Sequence, residues 1–294
     1  MMNKITALLL VFFAAAGVFA DTKIGITGVV EWDTLEIKAS VSLDLASAGV
    51  RLPAGRGRGE ALLSDGYLRL IRPDILEIQV DSSSTIADLI NRGEFSLIEA
   101  ESLALAARSM PPALSHDMLK MSASYTVSIT GVSAALLRHD RPVAVARTLN
   151  PVSTAGYTGI IIIAPESLPV YSMRNAAMAI PCLFPKIWDS EMNLIYERNM
   201  LQTGISAMVR YSSPAGIFQH NPSGLSPELQ AVVGDRPLRI FASGVFGIKP
   251  TDLIIDRSDA LLIISSDENR RLLSEGKVVI ILNESVLKSE FSGE

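Results

Sequence analysis

The chain has 294 residues, 48% of them hydrophobic and 19% charged, and a formal net charge of −5. That much apolar mass with so little charge excludes an intrinsically disordered chain. The acidic balance excludes a general attraction to nucleic acid or anionic lipid.

Met1–Ala20 carries one charge, Lys4, ahead of an apolar run from Ile5 to Ala16, and ends in Val18-Phe19-Ala20. This is the grammar of a secretory signal peptide cut after Ala20, and the run is too short to span a membrane. The leader predicts a periplasmic protein whose working chain starts at Asp21. No cysteine follows Ala20, so no lipid anchor is expected. With Cys182 as the single cysteine, no intrachain disulfide can form and stability must come from a core. No later segment is long and apolar enough to be read as a transmembrane span.

After the leader, Leu35, Ile37, Ala39, Val41 and Leu43 alternate with polar residues, the period of a half-buried strand and part of a hairpin or strand pair. Gly49–Gly59 reads as a loop, and its Arg51–Arg58 stretch as a solvated, Gly-rich segment. A helix is predicted over Glu60–Ile71 with Leu63, Tyr67, Leu70 and Ile71 on one stripe, stopped by Pro73. Ser82–Ser84 offer N-caps for a helix over Thr85–Asn91, ended by Gly93. Phe95–Met110 reads as an Ala- and Leu-rich helix broken by Pro111-Pro112, with a shorter helix to Lys120. Strand character returns at Ser124–Ser128, where Tyr125, Val127 and Ile129 share a face. Turn residues near Asn150-Pro151 place the domain boundary there, giving a strand–helix–strand domain over 21–150 and an α+β domain over 151–294.

The second half opens on Tyr157–Ala164, a continuous apolar run expected of a strand covered on both faces. Lys186–Glu197 reads as a hairpin around an acidic turn at Asp189-Ser190-Glu191, followed by a strand over Ser206–Tyr211. A loop over Phe218–Pro237 contains a short helix near Glu228–Val233, and Leu238–Ile248 forms a strand. Leu253–Ile255 is a strand, Asp256 an N-cap for Ala260–Ser265, and Ser266 the cap of Asp267–Glu275, with Gly276 as its stop. Lys277–Leu282 is a closing buried strand. The fold class is α+β: two sheet-and-helix domains, with mixed or antiparallel sheets and helices packed on one face.

No catalytic, cofactor or metal site emerges. His116, His139 and His220 stand at no metal-ligand spacing from one another or from Cys182. His116-Asp117 and His139-Asp140 read as solvated or capping pairs. No serine sits in a G-x-S-x-G elbow, and Gly55–Gly59 lacks the spacing of a nucleotide loop. Glu166, Asp189, Glu191 and Glu197 read as solvated acids rather than as a pair set across a sugar. Cys182, among apolar neighbours, reads as a buried inert thiol. Phe184, Ile187, Trp188 and Tyr196 around the hairpin are the candidate interaction surface, weighed against a place in the core.

Three segments occur in an order that is similar to a known family. They are YTGIIIIAPESLPV (157–170), FPKIWDSEMNLIYE (184–197) and FGIKPTDLIIDRSDALLIISSDENRRLLSEGKVVIIL (246–282). They resemble the C-terminal region of the LPP20-like / FlgT-like family of bacterial envelope proteins. The resemblance implies an exported, non-enzymatic envelope protein, in some members tied to the flagellum and its rings. Two departures stand out: the lipobox cysteine is missing, and Ala164–Leu168 replaces the charged stretch that follows the Tyr-Thr-Gly strand in many members. The expectation is a periplasmic structural or assembly protein, partnered by envelope or flagellar proteins and using no cofactor. The alternatives are a secreted hydrolase with an unrecognised serine or carboxylate site, or a periplasmic carrier of a small ligand.

Overall fold

Alternation of apolar and polar residues builds the first sheet. In the computed structural model, which describes residues 24–219 and 222–294, Ile37, Ala39, Val41 and Leu43 are buried while Lys38, Ser40 and Ser42 are exposed. The predicted leader and His220 lie outside the described residues. Strands β1 (Ile24–Glu31) and β2 (Glu36–Asp44) form a hairpin. Helix α1 (Arg56–Leu76) lays Leu63, Tyr67, Ile71 and Ile75 on the sheet. A small hairpin, β3 (Gln79–Asp81) and β4 (Ser84–Thr85), leads into α2 (Ile86–Asn91) and α3 (Leu97–Leu105). Short strands β5 (Arg108–Ser109) and β6 (Ala113–Leu114) flank the long β7 (Lys120–Ser128), and α4 (Ile129–Leu136) closes the unit.

The sheet order is β17-β1-β2-β7-β5, with β6 also on β7, and every pairing is antiparallel. Its inner face carries a parallel stack of Tyr67 from α1 on Tyr125 from β7, 3.8 Å between ring centres.

The second sheet draws on β8 (Ile160–Ala164), β11 (Ile187–Asp189), β12 (Leu194–Tyr196), β13 (Arg210–Ser212), β14 (Leu238–Phe246), β15 (Asp252–Ile255) and β16 (Val278–Leu282). A separate hairpin, β9 (Ser167–Pro169) with β10 (Ala176–Met178), lies beside it. The order is β12-β11-β15-β14-β8-β16-β13; β13, β16, β8 and β14 are mutually parallel and the rest is mixed.

All five residues of β8 and of β16 are buried, because two layers cover them. Ile160, Ile162, Val278 and Ile280 face a core shared with α6 (Arg257–Ile264) and α7 (Asp267–Ser274). Ile161, Ile163, Val279 and Ile281 face a second core with Leu229 and Val233 of α5 (Pro227–Val233). An unbroken isoleucine–valine run is thus the signature of a strand with helices on both sides. The chain is an α+β protein of two sheet-and-helix units; helices cover one face of the first sheet and both faces of the second.

The units are not separate in the chain. Strand β17 (Lys288–Gly293) leaves the second sheet and pairs antiparallel with β1, so the span 151–294 does not stay within one sheet. Leu183 and Phe184 donate backbone hydrogen bonds to the Gln79 and Val80 carbonyls of β3, at 3.0 and 2.9 Å. Trp32 of the first unit meets the Tyr211 ring of the second edge-on at 6.0 Å. One continuous hydrophobic cluster runs through both units.

Several local readings are corrected. Pro73 lies inside α1, which runs on to Leu76 with Ile75 buried; the proline has no N–H to donate within the helix, and burial of the last turn carries the helix past it. The helix also starts inside the predicted loop, at Arg56, whose Nε donates to Glu60 at 2.9 Å. Thr85, rather than Ser82–Ser84, caps α2, in a reciprocal capping box with Asp88. The helix predicted over 95–110 ends at Leu105, and the stretch toward Lys120 contains β6 rather than a helix. Ile129 begins α4 instead of extending the strand. Asp256 occupies the N-cap of α6, yet its side chain makes no capping hydrogen bond.

Seating of β17 depends on Gly28. A Cβ there would stand 2.3 Å from Phe291 Cζ and 2.5 Å from the Lys38 carbonyl oxygen. Gly28→Ala is expected to destabilise the protein by about 1–3 kcal/mol, read as a lower urea midpoint. An unchanged midpoint would show that β17 does not pack on β1 in this way.

Candidate interaction surface

The hairpin residues singled out in the sequence do not make a surface. Phe184, Ile187 and Tyr196 are buried at 2%, 0% and 0% exposure, so they are core. The physical reason is that β11 is an inner strand, paired on one side with β12 and on the other with β15. Its alternate residues Ile187 and Asp189 face inward, and the hydroxyl of Tyr196 donates to the Met208 carbonyl at 3.0 Å. Trp188, on the opposite side of the strand, is half-buried. Its Nε1 donates to Asp252 Oδ2 at 3.2 Å, and its ring meets Phe246 edge-on at 5.9 Å.

Asp189, expected in a solvated turn, is fully buried. Its Oδ1 accepts from the backbone of Glu191 and Asn193 at 3.0 and 2.8 Å and from Asn193 Nδ2 at 3.1 Å, and its carboxylate pairs with Arg257 at the start of α6. Burial alone would raise its pKa, but the bonds from Asn193, Arg257 and Glu191 outweigh it and hold the carboxyl below its ordinary value. The same bonds pin a turn in which Met192 adopts φ +61°, a conformation non-glycine residues rarely take. Asp252 is also buried, and burial pushes its carboxyl up against the bonds from Lys186 N, Trp188 and Thr251. These carboxylates are committed to holding strands and turns. Cys182 is buried and its thiol is pushed up by the same desolvation, the setting of an inert core thiol. Among the described residues no three His, Cys, Asp or Glu converge as a metal site.

An exposed apolar face lies on the first unit, along α3, while Phe218, Phe241 and Ile248 are exposed on the second. Ser96 caps this helix in a capping box with Glu99. Its small residues Ala100 and Ala104 face the core, where the Tyr67 hydroxyl donates to the Ala104 carbonyl at 3.1 Å. Small residues let α3 approach α1 closely, which leaves the large ones outside. Ile98 is 78% exposed and Leu105 67%; they are seven residues apart and so on one helix face. Leu97 and Met110 are also exposed. Between α1 and α3 lies a hollow of about 120 Å³, lined by Leu68, Ile75, Ala100, Ala104 and Leu105 and bordered by the Arg72–Glu101 ion pair.

Sequence reading missed these residues, yet a signal was present. Residues 97–105, LIEAESLAL, carry apolar side chains around most of the helix, more than one buried stripe can cover. A helix that is apolar all round is either enclosed or left with greasy surface, and α3 lies on the outside.

A folded carboxyl held below its unfolded value adds stability that is present above the unfolded pKa and is lost as pH falls through the folded one. Arg257→Ala should leave the Asp189 carboxylate buried without its cation and cost about 3 kcal/mol. Asp189→Asn should flatten the loss of stability below about pH 4. Urea melts across that range test both expectations; a variant that tracks the parent at every pH would remove the Asp189–Arg257 pair as a stabilising element.

Two family models match the chain. Residues 159–284 match the model described as Treponema pallidum Tp0624, second domain, and residues 23–135 match the one described as Treponema pallidum Tp0624, N-terminal domain. A search of curated proteins found no match. The two spans correspond to the two sheet-and-helix units, leaving out the irregular connection between α4 and β8 and the returning strand β17. The chain is therefore similar, in order along its length, to the N-terminal and second domains of Tp0624.

Proposed function

We propose that this chain is an exported, non-enzymatic protein of the cell envelope that works in the periplasm by protein–protein recognition. The observation that carries the reading is the apolar α3 face, with Ile98 and Leu105 each about two-thirds exposed or more. Large aliphatic side chains held in water are unfavourable for the isolated protein. Covering each gains about 1.5–3 kcal/mol before the costs of association. The adjoining hollow offers a seat for one apolar anchor from a partner, the usual centre of an interface.

Other features support the same reading. The leader sequence sends the chain out of the cytoplasm, and the ordered segments resemble envelope proteins of the LPP20-like / FlgT-like kind. The buried carboxylates Asp189 and Asp252 serve strands and turns, so the polar chemistry of the second unit is spent on architecture. No described helix is long and apolar enough to cross a membrane. Envelope or flagellar proteins are the proposed partners, bound through α3 and the α1–α3 hollow.

A photo-reactive residue at Ile98 should capture envelope proteins in living cells, whereas one at the exposed Ser190 should not. Ile98→Asp combined with Leu105→Asp should abolish the capture, while stability stays within about 0.5 kcal/mol of the parent, as exposed positions allow. Capture that survives the double substitution would overturn the assignment of this face.

A further inference from the structure

A cleft of about 450 Å³ opens on the seam between the units, where the ends of α2 and α4 meet the short 3₁₀ turn Arg198–Met200. Its apolar lining is Leu89, Leu136 and Leu137, and Arg138, His139 and Arg198 stand around it. The rim is tied in place across the seam. His139 Nε2 lies 2.7 Å from the Leu201 carbonyl oxygen, to which it can only donate. That bond joins the segment after α4 to the segment that carries Arg198.

Both arginines rest on buried phenylalanine rings. Arg138 lies over Phe95 at 5.9 Å from the ring centre, and Arg198 over Phe184 at 5.6 Å. A guanidinium held against a ring loses part of its water, while its N–H groups remain available to an oxyanion. Arg138 is partly spent: its Nη2 donates to Glu99 at 2.7 Å and its Nε to the Ala135 carbonyl at 3.1 Å. Arg198 is not. It is half-buried, and among the described residues its guanidinium makes no hydrogen bond and no ion pair. The acids nearby are already engaged. Glu94, in the cleft wall, pairs with Arg92 at 2.7 Å, and Glu197 accepts from Asn199 Nδ2 at 3.3 Å. Five fixed donors and a full positive charge therefore face a cleft with no acceptor committed to them. A partly desolvated cation without a counter-charge is costly, and an arriving anion relieves that cost.

We propose that this cleft binds a small organic carboxylate, with Arg198 as its bidentate counter-ion, the unused Nη1 of Arg138 as a further donor, and the three leucines covering its apolar body. The planar fork of a guanidinium matches the two oxygens of a carboxylate. A cleft of this volume between two packed units, apolar with a few convergent polar groups, has the anatomy of a small-ligand site. One negative charge suits it better than the two of a phosphate monoester, because Glu94 shares the wall and repels the second. The inference uses neither Ile98 nor Leu105, so it and the α3 interface can fail separately.

Calorimetric titration of the full chain at low salt tests it, with hexanoate, hexanol, hexylamine and hexyl phosphate as probes. Hexanoate is expected to give saturable heat, hexanol and hexylamine none, and hexyl phosphate is expected to bind more weakly than hexanoate. Arg198→Gln should weaken hexanoate binding about tenfold or more. Its melting temperature should stay within about 2 °C of the parent, since Arg198 satisfies no polar group of the protein. Arg198→Lys, which keeps the charge but loses the fork, should fall between the two. Glu94→Gln removes a like charge from the wall and frees Arg92, so it should tighten hexanoate binding about two- to fivefold. A purely structural role for these residues would not move affinity in opposite directions. No saturable heat from hexanoate, equal binding of hexanol or hexylamine, tighter binding of hexyl phosphate, or an Arg198→Gln variant that binds as the parent does would overturn the proposal.

Discussion

The pairing of β17 with β1 is the constraint on which the arrangement of the molecule depends. The strand emerges from the second sheet, just after β16, and forms the edge of the first. A chain that crosses back in this way ties the ends of the polypeptide into one sheet, so neither unit can leave the other without breaking a ladder. Backbone bonds from Leu183 and Phe184 to β3 and the edge-on contact of Trp32 with Tyr211 lie on the same seam. The continuous core through both units follows from it. With no cross-link available, shared burial of this kind gives the protein a large enough core.

Charge within this frame is used in two ways. Where carboxylates are enclosed with donors, as at Asp189 with Arg257 and Asn193, they fix a strained turn and the start of a helix. Where one is half-buried without an ion pair, as at Asp74, burial and the nearby Glu77 push the carboxyl up to about 6. The first kind of site is complete in itself.

Much of the fold was legible because burial imposes periods on the sequence. The period of two in β2 and the uninterrupted runs of β8 and β16 each have one physical meaning, a sheet half-covered or fully covered. The pair of helices before β16, with Ser266 as cap and Gly276 in the left-handed conformation, was equally plain. Boundaries were harder. Pro73 reads as a stop because it forfeits a helical hydrogen bond, but burial of Ile75 in the core carries α1 past it. The interaction surface was misread for a related reason. Aromatic residues beside an acidic turn look exposed, but the neighbours of β11 that bury Ile187 and Tyr196 come from residues 194–196 and 252–255.

The sequence by itself determined the strands β2, β8 and β16 and the helices α6 and α7, since local periodicity and capping chemistry reside within a few neighbouring residues. It also determined that stability must come from packing, because Cys182 is the single cysteine. Tertiary structure alone decided that the last strand returns to the first sheet and that Asp189 is sealed rather than solvated. It also decided that Ile98 and Leu105 face water while Ala100 and Ala104 face the core. Those outcomes depend on which distant segments become neighbours, and the free energy that selects them is a property of the assembled layers that no window along the chain contains.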